Sequence, residues 1–459
     1  MISFIDVLER AVSGPMMTQK EFDMKVFIPA MRKILEKYKI KWERKEVINT
    51  NDDLADKIFE AAIDFYSEVG TYVIDTERVI KFTREEILEA VEDAPKKIYV
   101  GEGPDRCIME GRLPDSDKLA HCHSGSSVNI TEDLGMRLAE AYARNTKAKT
   151  LSIPTVNTLG PLKVHSGAPT EIFAGIRALQ NAREGCRRAG RPGIAFLNMV
   201  PACAKDVTTI AATAPQFGGR PSDGWLVASV AEMKIDYSSL NKVAYLTAWG
   251  ANIGNEGSGL LGGYAGGPEG LAVLNTAYAL FGILVVRATY HLTYPIHMNY
   301  VCSSVPEVLW PLSVCIQAVA RNIKVPYISL TYTAAGAATE MYFNEALVCL
   351  LTIISSGSSV HNPHPAKGKE TNSFTPVEME FATQLAYACK GLTRKEANEI
   401  IDKVIPRYLD KISKPPKGET ISQCYDLEYF KPKPHFEKLY YETVVGGLRK
   451  EFGINLYNY

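Results

Sequence analysis

A single carboxylate stands out in this sequence because of where it follows a predicted strand. Glu256 lies in the string Asn-Glu-Gly-Ser at 255–258, shortly beyond an apolar run at 243–249 that predicts a strand ending near Trp249. A carboxyl group at the carboxyl end of a strand can act as a general acid or base, and in a barrel that end is where active sites form. We therefore predict a catalytic role for Glu256, with a solvated loop glutamate as the alternative.

Histidines occur near the ends of two other predicted strands. His291 ends an apolar run at 283–291, and His361 opens the string His-Asn-Pro-His-Pro, whose two prolines exclude a helix. We predict a catalytic role for His291 and substrate contact for His361. His121 and His123 would share one face of an extended segment, but a zinc site needs a third ligand that their spacing does not specify. Buried structural histidines are the alternative.

The most distinctive short string is rich in glycine. It reads Gly-Gly-Tyr-Ala-Gly-Gly at 262–267 and precedes a helix predicted to begin near Pro268. Glycine lets the backbone approach a ligand closely, and the start of a helix offers unpaired amides. No Gly-Lys-Ser/Thr follows, so the string is not a P-loop. The predicted cofactor-binding residues are Gly262, Gly263, Tyr264, Gly266 and Gly267. A flexible loop is the alternative.

Aromatic side chains crowd several predicted strand ends. They are Trp249, Tyr290, Tyr294, Tyr300, Tyr327 and Tyr332. An aromatic pocket suits a flat organic ligand, because ring packing stabilises beyond the area that is buried. We predict that Trp249 and Tyr332 contact a substrate, with packing in the core as the alternative.

Short apolar runs alternate with helical patterns through the middle of the chain. The predicted strands lie at 150–156, 193–199, 243–249, 283–291 and 327–333, and the predicted helices at 168–189, 270–280, 306–322 and 339–354. Continuously apolar strands that alternate with helices indicate βαβ units and a parallel sheet. The number of units over about 250 residues favours an α/β fold of the closed (β/α)8 TIM-barrel type. No Gly-x-Gly-x-x-Gly lies between a strand and a helix, which argues against a dinucleotide-binding sheet.

Additional elements are expected on either side of the barrel. We predict an N-terminal helical segment with a β-hairpin at 1–112, the barrel at 113–375, and C-terminal helices at 376–459 that pack on the barrel.

The composition is that of a folded globular protein. The 459 residues include 51 Lys and Arg against 52 Asp and Glu, and a charge so near neutral argues against nucleic-acid binding. The most apolar run, at 270–286, is short for a membrane span and contains Asn275 and Thr276. The N-terminal segment lacks a signal-peptide pattern, and nine cysteines without a Cys-x-x-Cys pair are typical of reduced thiols. We therefore expect a cytoplasmic homo-oligomer without a nucleic-acid or membrane partner.

Longer strings resemble the monomethylamine:corrinoid protein methyltransferases along nearly the whole chain. They include Gly-Arg-Pro-Gly at 190–193, Glu-Met-Lys-Ile-Asp at 232–236, Glu256 six residues before the glycine-rich string, Ala-Lys-Gly at 366–368 and Cys-Tyr-Asp at 424–426. The resemblance implies a (β/α)8 barrel that moves a methyl group onto the cobalt of a corrinoid. It also implies that a separate partner protein carries this corrinoid and docks at the barrel mouth.

The sequence departs from that family in the polar groups of the site. The family carries pyrrolysine at a position that falls here between Leu197 and Met199, which makes Asn198 a candidate substrate contact. A second family glutamate corresponds to Leu226 and a glutamine to Leu330, so only Glu256 of the polar set is kept. The resemblance thus implies an apolar pocket, with Leu330 contacting the substrate.

An apolar pocket favours a larger, less polar methyl donor than methylammonium. A phenolate leaving group has a conjugate acid with a pKa near 10, so an aryl methyl ether can lose its methyl group if an acid protonates the ether oxygen. Glu256, kept protonated by apolar neighbours, or His291 can be that acid. The resemblance implies a methyltransferase of methanogenesis, and the apolar pocket leads us to predict that it O-demethylates a methoxy-aromatic compound.

Three alternatives stay open from the sequence. The donor can be methylamine or another N- or S-methyl compound, since tyrosines also form cages for quaternary ammonium groups. A zinc-dependent methyltransferase is a second alternative, and a catalytically silent barrel that only binds corrinoid proteins is a third, of another class.

Overall fold

Eight short parallel strands form a closed barrel in the computed structural model, which describes residues 2–126, 128–198 and 204–457. Strands β1 to β8 are Cys122–Gly125, Thr150–Ser152, Ala195–Asn198, Gly224–Ala228, Asn252–Glu256, Tyr290–Thr293, Tyr327–Ser329 and Ser359–His361. Each pairs with its neighbours in parallel, and β8 closes on β1. The predicted (β/α)8 TIM barrel is confirmed.

A helix follows each strand and covers the outside of the barrel. Helices α1 to α8 are Gly135–Arg144, Pro169–Arg188, Asp206–Thr213, Tyr237–Trp249, Pro268–Leu284, Pro306–Ala318, Glu340–Ser356 and Pro376–Ala388. Every residue of α5 from Gly270 onward is buried, which explains why this run is apolar all round. None of the helices in the described ranges has the length and apolar character that a membrane crossing requires.

Two of the predicted strands were placed wrongly. The run at 243–249 belongs to α4, because Asp236 caps the start of this helix and Gly250, at φ +70°, ends it. The strand comes afterwards, so Glu256 is the last residue of β5 rather than a residue of the following loop. The run from 283 continues α5, and β6 begins only at Tyr290. Both errors arose because buried helices and buried strands are equally apolar.

The N-terminal segment packs against α5 and α6, and its hairpin closes the lower end of the barrel. Its longer helices are Phe4–Ser13, Ile28–Tyr38, Asp52–Val69 and Arg84–Asp93, with a π-helix at Phe22–Phe27 and short strands at Thr71–Val73 and Arg78–Ile80. The hairpin of Lys97–Val100 and Cys107–Glu110 follows. Ile98, Val100 and Met109 of this hairpin pack with inward leucines of the barrel, so the barrel is plugged at the end where its strands begin.

Short strand pairs extend the barrel beyond the carboxyl ends of its strands, an end that we call the mouth. Leu260–Leu261 pairs with Ile296–His297, and Tyr332–Thr333 pairs with His364–Pro365. Asn129–Thr131 pairs with Thr155–Leu159, which continues to Leu162–Lys163. Lys234–Ile235 pairs with Thr71–Val73 and so joins the N-terminal segment to the mouth.

Further helices follow the barrel toward the C-terminus. They are Arg394–Val404, Ile421–Cys424, Pro434–Lys438 and Gly446–Phe452, with a π-helix at Leu439–Val445. The eighth barrel helix, α8, lies beyond residue 375, so the last βα unit extends past the predicted end of the barrel. The division of the chain into three regions stays a proposal.

Candidate functional site

Glu256 points into the barrel from the mouth end of β5. Asn255 faces outward, where its amide nitrogen donates a hydrogen bond to the Tyr278 carbonyl of α5 at 2.9 Å, so alternation turns Glu256 inward. Its side chain is buried, and its Oε2 has no hydrogen-bond partner among the described residues. Burial raises the pKa of Glu256 to about 8, although the positive charge of Lys242 opposes this shift. Glu256 is therefore mostly a neutral acid at pH 7.

The inward side chains below Glu256 form layers contributed by alternate strands, as in other eight-stranded barrels. The strand register places Glu256 and Leu330 in the layer nearest the mouth. The second layer contains Ser152, Leu226, Leu292 and His361. The third layer contains His123, Leu197, Gly254 and Ile328. The leucines and Ile328 belong to one buried apolar cluster. Glu256 therefore lies above an apolar surface.

Histidines supply a polar side of the interior on β1 and β8. The rings of His123 and His361 meet edge to face at 4.6 Å, and those of His361 and His364 at 4.8 Å. The Nδ1 of His123 lies 3.0 Å from Thr150 Oγ1, and its Nε2 has no partner among the described residues. Burial lowers the pKa of His123 to about 3 and that of His364 to about 4, so these rings are neutral at pH 7. Because β1 lies across the barrel from β5, the histidines face the side that carries Glu256.

Two half-buried tyrosines border the mouth. Tyr294 follows β6 and Tyr332 follows β7, and their rings meet edge to face at 6.4 Å. Tyr332 also contacts His364, with ring centroids 6.2 Å apart. The structure thus brings Tyr332 and His361, two of the predicted substrate contacts, to the same end of the barrel as Glu256 and Leu330.

The glycine-rich loop at 262–267 lies beside the mouth, and most of its amides face partners within the chain. Gly262 donates to the Gly266 carbonyl, Gly263 to that of Leu260, and Gly266 to that of Gly263. The amides of Tyr264 and Ala265 face the carboxylate of Glu232. Gly262 and Gly266 have φ angles of +94° and +77°, which is why glycine is needed there. The loop offers a ligand the half-exposed ring of Tyr264, and the cofactor-binding role of its residues stays a prediction.

Two predicted site residues are not brought to the mouth. His291 lies on the outer face of β6, and its ring stacks with that of Tyr327. The ring also packs against Gly282 of α5, where an added Cβ would lie 2.7 Å from the His291 Nδ1. Trp249 ends α4 and stacks with Tyr245 and Trp225 outside the barrel. Trp249 was misplaced because its helix was predicted as a strand. His291 was misplaced because β6 begins with the inward-facing Tyr290, so the next side chain faces outward. Asn198 is the last residue of β3, and its role stays a prediction.

Sequence reasoning named two buried groups without giving either a role of its own. Tyr290 faces inward on β6, in a slot formed opposite Gly224 and Gly254, and its hydroxyl has no partner among the described residues. Glu232 was recognised as part of a string but given no role. Within the described ranges, no group of three or more His, Cys, Asp or Glu side chains is arranged to hold a metal ion. Met199, near the position where the resemblance places pyrrolysine, lies outside the described residues.

Fold and site together define a (β/α)8-barrel protein with one neutral carboxylic acid above an apolar interior. The family model described as "Monomethylamine methyltransferase MtmB" matches residues 2–452. The chain therefore belongs to the monomethylamine methyltransferase family MtmB, and it is a member of a family of methyltransferases. The resemblance inferred from the sequence is confirmed.

Relatives and solved structures agree with this assignment. The chain is 27% identical over 440 residues to monomethylamine methyltransferase MtmB2 of Methanosarcina barkeri and 26% identical over 438 residues to MtmB2 of Methanosarcina acetivorans, with 95% of each chain covered in both cases. It superposes on the crystal structure of the Methanosarcina barkeri enzyme with a TM-score of 0.91 at 24% identity, over 97% of each chain. This last likeness supports the fold.

Proposed function

We propose that this protein transfers a methyl group from a methylated amine to the cobalt(I) of a corrinoid carried by a separate protein. The donor in this proposal carries further apolar substituents on its nitrogen. The observation that carries the proposal is the buried carboxyl group of Glu256, whose Oε2 has no hydrogen-bond partner among the described residues, above a surface of leucines. The family relatives, which are named for monomethylamine, support an amine over the methoxy-aromatic donor that the sequence favoured.

Glu256 would bind the donor nitrogen. A buried carboxyl group that is neutral when alone ionises when a cation binds beside it, because the opposite charge lowers its pKa. An ammonium donor therefore displaces a proton from Glu256 and forms a charge-assisted contact with the carboxylate. When the methyl group leaves, the electron pair of the carbon–nitrogen bond stays on nitrogen, and the product is a neutral amine that this carboxylate holds less tightly.

The apolar layer would select the other substituents of the donor. Leu226 and Leu330 cannot hydrogen-bond the N–H groups of a primary ammonium ion, and burying such groups without partners costs about 1–3 kcal/mol each. Alkyl groups bury favourably against leucine, at about 0.8 kcal/mol for each methylene. The interior thus favours donors with few N–H groups and several carbon substituents.

The acceptor would approach from the mouth. The corrinoid supplies a cobalt(I) nucleophile for the methyl group, and the residues of this chain align the donor beneath it. Tyr264, Met298 and Val301 are exposed beside the mouth and offer apolar contacts to a docking protein. Cytoplasmic location and homo-oligomer formation stay predictions.

A methoxy-aromatic donor is the second candidate, supported by the raised pKa of Glu256. A carboxylic acid that is neutral at pH 7 can give its proton to an ether oxygen as the carbon–oxygen bond breaks, and Tyr294 and Tyr332 offer aromatic contacts. The two candidates differ in proton balance, because a bound ammonium releases a proton from Glu256 whereas an ether consumes one during transfer.

A donor screen with proton counting tests the proposal. Purified protein is mixed with chemically reduced cob(I)alamin, and loss of cobalt(I) absorbance is followed with monomethylamine, trimethylamine, tetramethylammonium, dimethyl sulfide and 2-methoxybenzoate. Calorimetry in buffers of different ionisation enthalpy counts the protons released when each donor binds. We expect turnover with trimethylamine above that with monomethylamine, and release of close to one proton at pH 7.

Two variants make the result specific. Glu256→Gln should abolish both the proton release and the preference for cationic donors, whereas Trp249→Phe, outside the barrel, should change neither. Turnover with 2-methoxybenzoate alone would reject the amine and support the second candidate. Unchanged methyl transfer by Glu256→Gln would reject the role of Glu256 in both.

A further inference from the structure

The segment at 232–236 contains a buried carboxylate that the proposed chemistry does not use. Glu232 lies between β4 and α4 and is 4% exposed. One of its oxygens, Oε1, lies so close to the glycine-rich loop that a Cβ on Gly263 would approach it to 2.3 Å. The carboxylate therefore lies directly against the backbone of this loop, and a side chain at position 263 would have to push it aside.

The loop backbone turns two amides toward this carboxylate. The N–H groups of Tyr264 and Ala265 face it and lower its pKa, as does the positive charge of Lys234. Successive backbone N–H groups that converge in this way form a concave anion-binding site. Here the anion belongs to the chain itself: the two amides face Glu232, whose second oxygen, Oε2, has no hydrogen-bond partner among the described residues.

A second set of contacts holds the Tyr264 ring. Lys234 forms an ion pair with Asp23 of the N-terminal segment at 2.7 Å, and both side chains are buried. The same ammonium group lies 5.4 Å from the centroid of the Tyr264 ring, within range of a cation–π contact. Phe27 contacts the ring at 6.4 Å, while nearly half of Tyr264 remains exposed. Its inner side is thus fixed and the rest faces outward.

We propose that Glu232 is a positioning residue that holds the 262–267 loop in the shape on which the corrinoid protein docks, with Tyr264 as the side chain presented to that partner. The identity of the partner rests on the proposed function. The contact between Glu232 and the loop does not depend on the proposed function. Experiments can therefore refute the positioning role of Glu232 and the methyl transfer separately.

The charges around Glu232 predict how the contact depends on pH. Burial raises the pKa of Glu232 to about 7, and the negative charge of Asp23 also raises it. The positive charge of Lys234 and the two loop amides lower it. Tyr278 of α5 is the other titratable group beside it, and its own pKa is raised by burial, so it stays neutral. The ionised carboxylate accepts hydrogen bonds more strongly than the acid. The loop should therefore be held more tightly at pH 8 than at pH 6.

Hydrogen exchange of the full chain tests the contact without any substrate. We compare the wild type with Glu232→Ala and with Glu232→Gln. The glutamine keeps the size of the side chain and one acceptor oxygen, so this variant serves as the test if Glu232→Ala does not fold. Removal of the charged carboxylate that faces these amides, at about 1.4 kcal/mol or more, should speed exchange at Tyr264 and Ala265 by about tenfold in Glu232→Ala and less in Glu232→Gln. When exchange rates are divided by those of unstructured peptides at the same pH, the amides of Tyr264 and Ala265 should become more protected from pH 6 to pH 8 in the wild type only.

A matched control and a kinetic measurement complete the test. Glu378 is also buried and accepts loop amides, those of Ala338 and Thr375, so Glu378→Gln should leave exchange at 262–267 unchanged. With the purified corrinoid protein as acceptor, Glu232→Ala should raise the KM for that protein about tenfold, with a smaller change in kcat. Unchanged exchange in both Glu232 variants would overturn the proposal. Faster exchange with an unchanged KM would overturn the docking role.

Discussion

Glu256→Gln gives the sharpest test of how the barrel interior treats charge. The pKa of Glu256 is raised from an ordinary value near 4.5 to about 8, because burial removes the carboxylate from water, and its Oε2 has no hydrogen-bond partner among the described residues. At 1.36 kcal/mol for each pKa unit, this shift corresponds to at most about 5 kcal/mol of folding free energy. Glutamine has nearly the same shape and no proton to lose.

The sign follows from the order of the two pKa values. Below pH 4.5 the carboxyl group is protonated in both the folded and the unfolded chain. Between pH 4.5 and about 8 the unfolded chain loses the proton while the folded chain keeps it, so the stability of the wild type falls as pH rises. Above pH 8 both forms are ionised and the effect levels off. Glu256→Gln lacks this loss and should gain stability relative to the wild type across that interval.

Urea unfolding followed by tryptophan fluorescence from pH 5 to pH 9 measures the difference. The gap in free energy of unfolding between Glu256→Gln and the wild type should widen by several kcal/mol up to pH 8 and then stay constant. Glu92→Gln, at an exposed position of the helix Arg84–Asp93, should follow the wild type throughout. A gap that does not change with pH would refute the view that the interior keeps Glu256 neutral.

Two further predictions concern the slot below Glu256. Tyr290→Phe should raise the free energy of unfolding by about 1–2 kcal/mol, because it removes a buried hydroxyl without a partner among the described residues. Chemical denaturation measures this, and a loss of stability would show that the hydroxyl is hydrogen-bonded. Gly254→Ala should destabilise by about 1–3 kcal/mol, because the added Cβ would lie 2.4 Å from the Tyr290 ring. The double variant with Tyr290→Leu should recover part of that loss, and an additive result would contradict the close approach.

The proton count connects these variants to the donor. An ammonium ion bound beside Glu256 brings an opposite charge into direct contact with its carboxyl group, so a true amine donor should stabilise the wild type more at pH 7 than Glu256→Gln. A neutral ether has no charge to offer and should show no such difference. Thermal shifts of the two proteins with trimethylamine and with 2-methoxybenzoate therefore distinguish the donors even if turnover is slow.

The sequence by itself determined the barrel and the family. Alternating apolar runs and helical patterns over the middle of the chain sufficed for the fold class, because each unit must bury its own apolar face. The ordered strings from 190–193 to 424–426 identified the relatives, and Glu256 with Leu226 and Leu330 predicted a mostly apolar site. These features are local, since each depends on residue type and spacing within a few positions.

Only the tertiary structure decided which way the side chains face. A shift of one residue in a strand exchanges its inner and outer sides, so the start of β6 at Tyr290 places that tyrosine inside and His291 against α5. Trp249 could not be placed because buried helices and strands have the same apolar composition. The contact between Glu232 and the 262–267 loop joins segments about 30 residues apart, and no local spacing encodes it. Each short segment could form a helix or a strand, or a strand of either register, with similar local energy. Packing between distant segments determines which of these forms, and it thereby determines which side chains line the barrel interior.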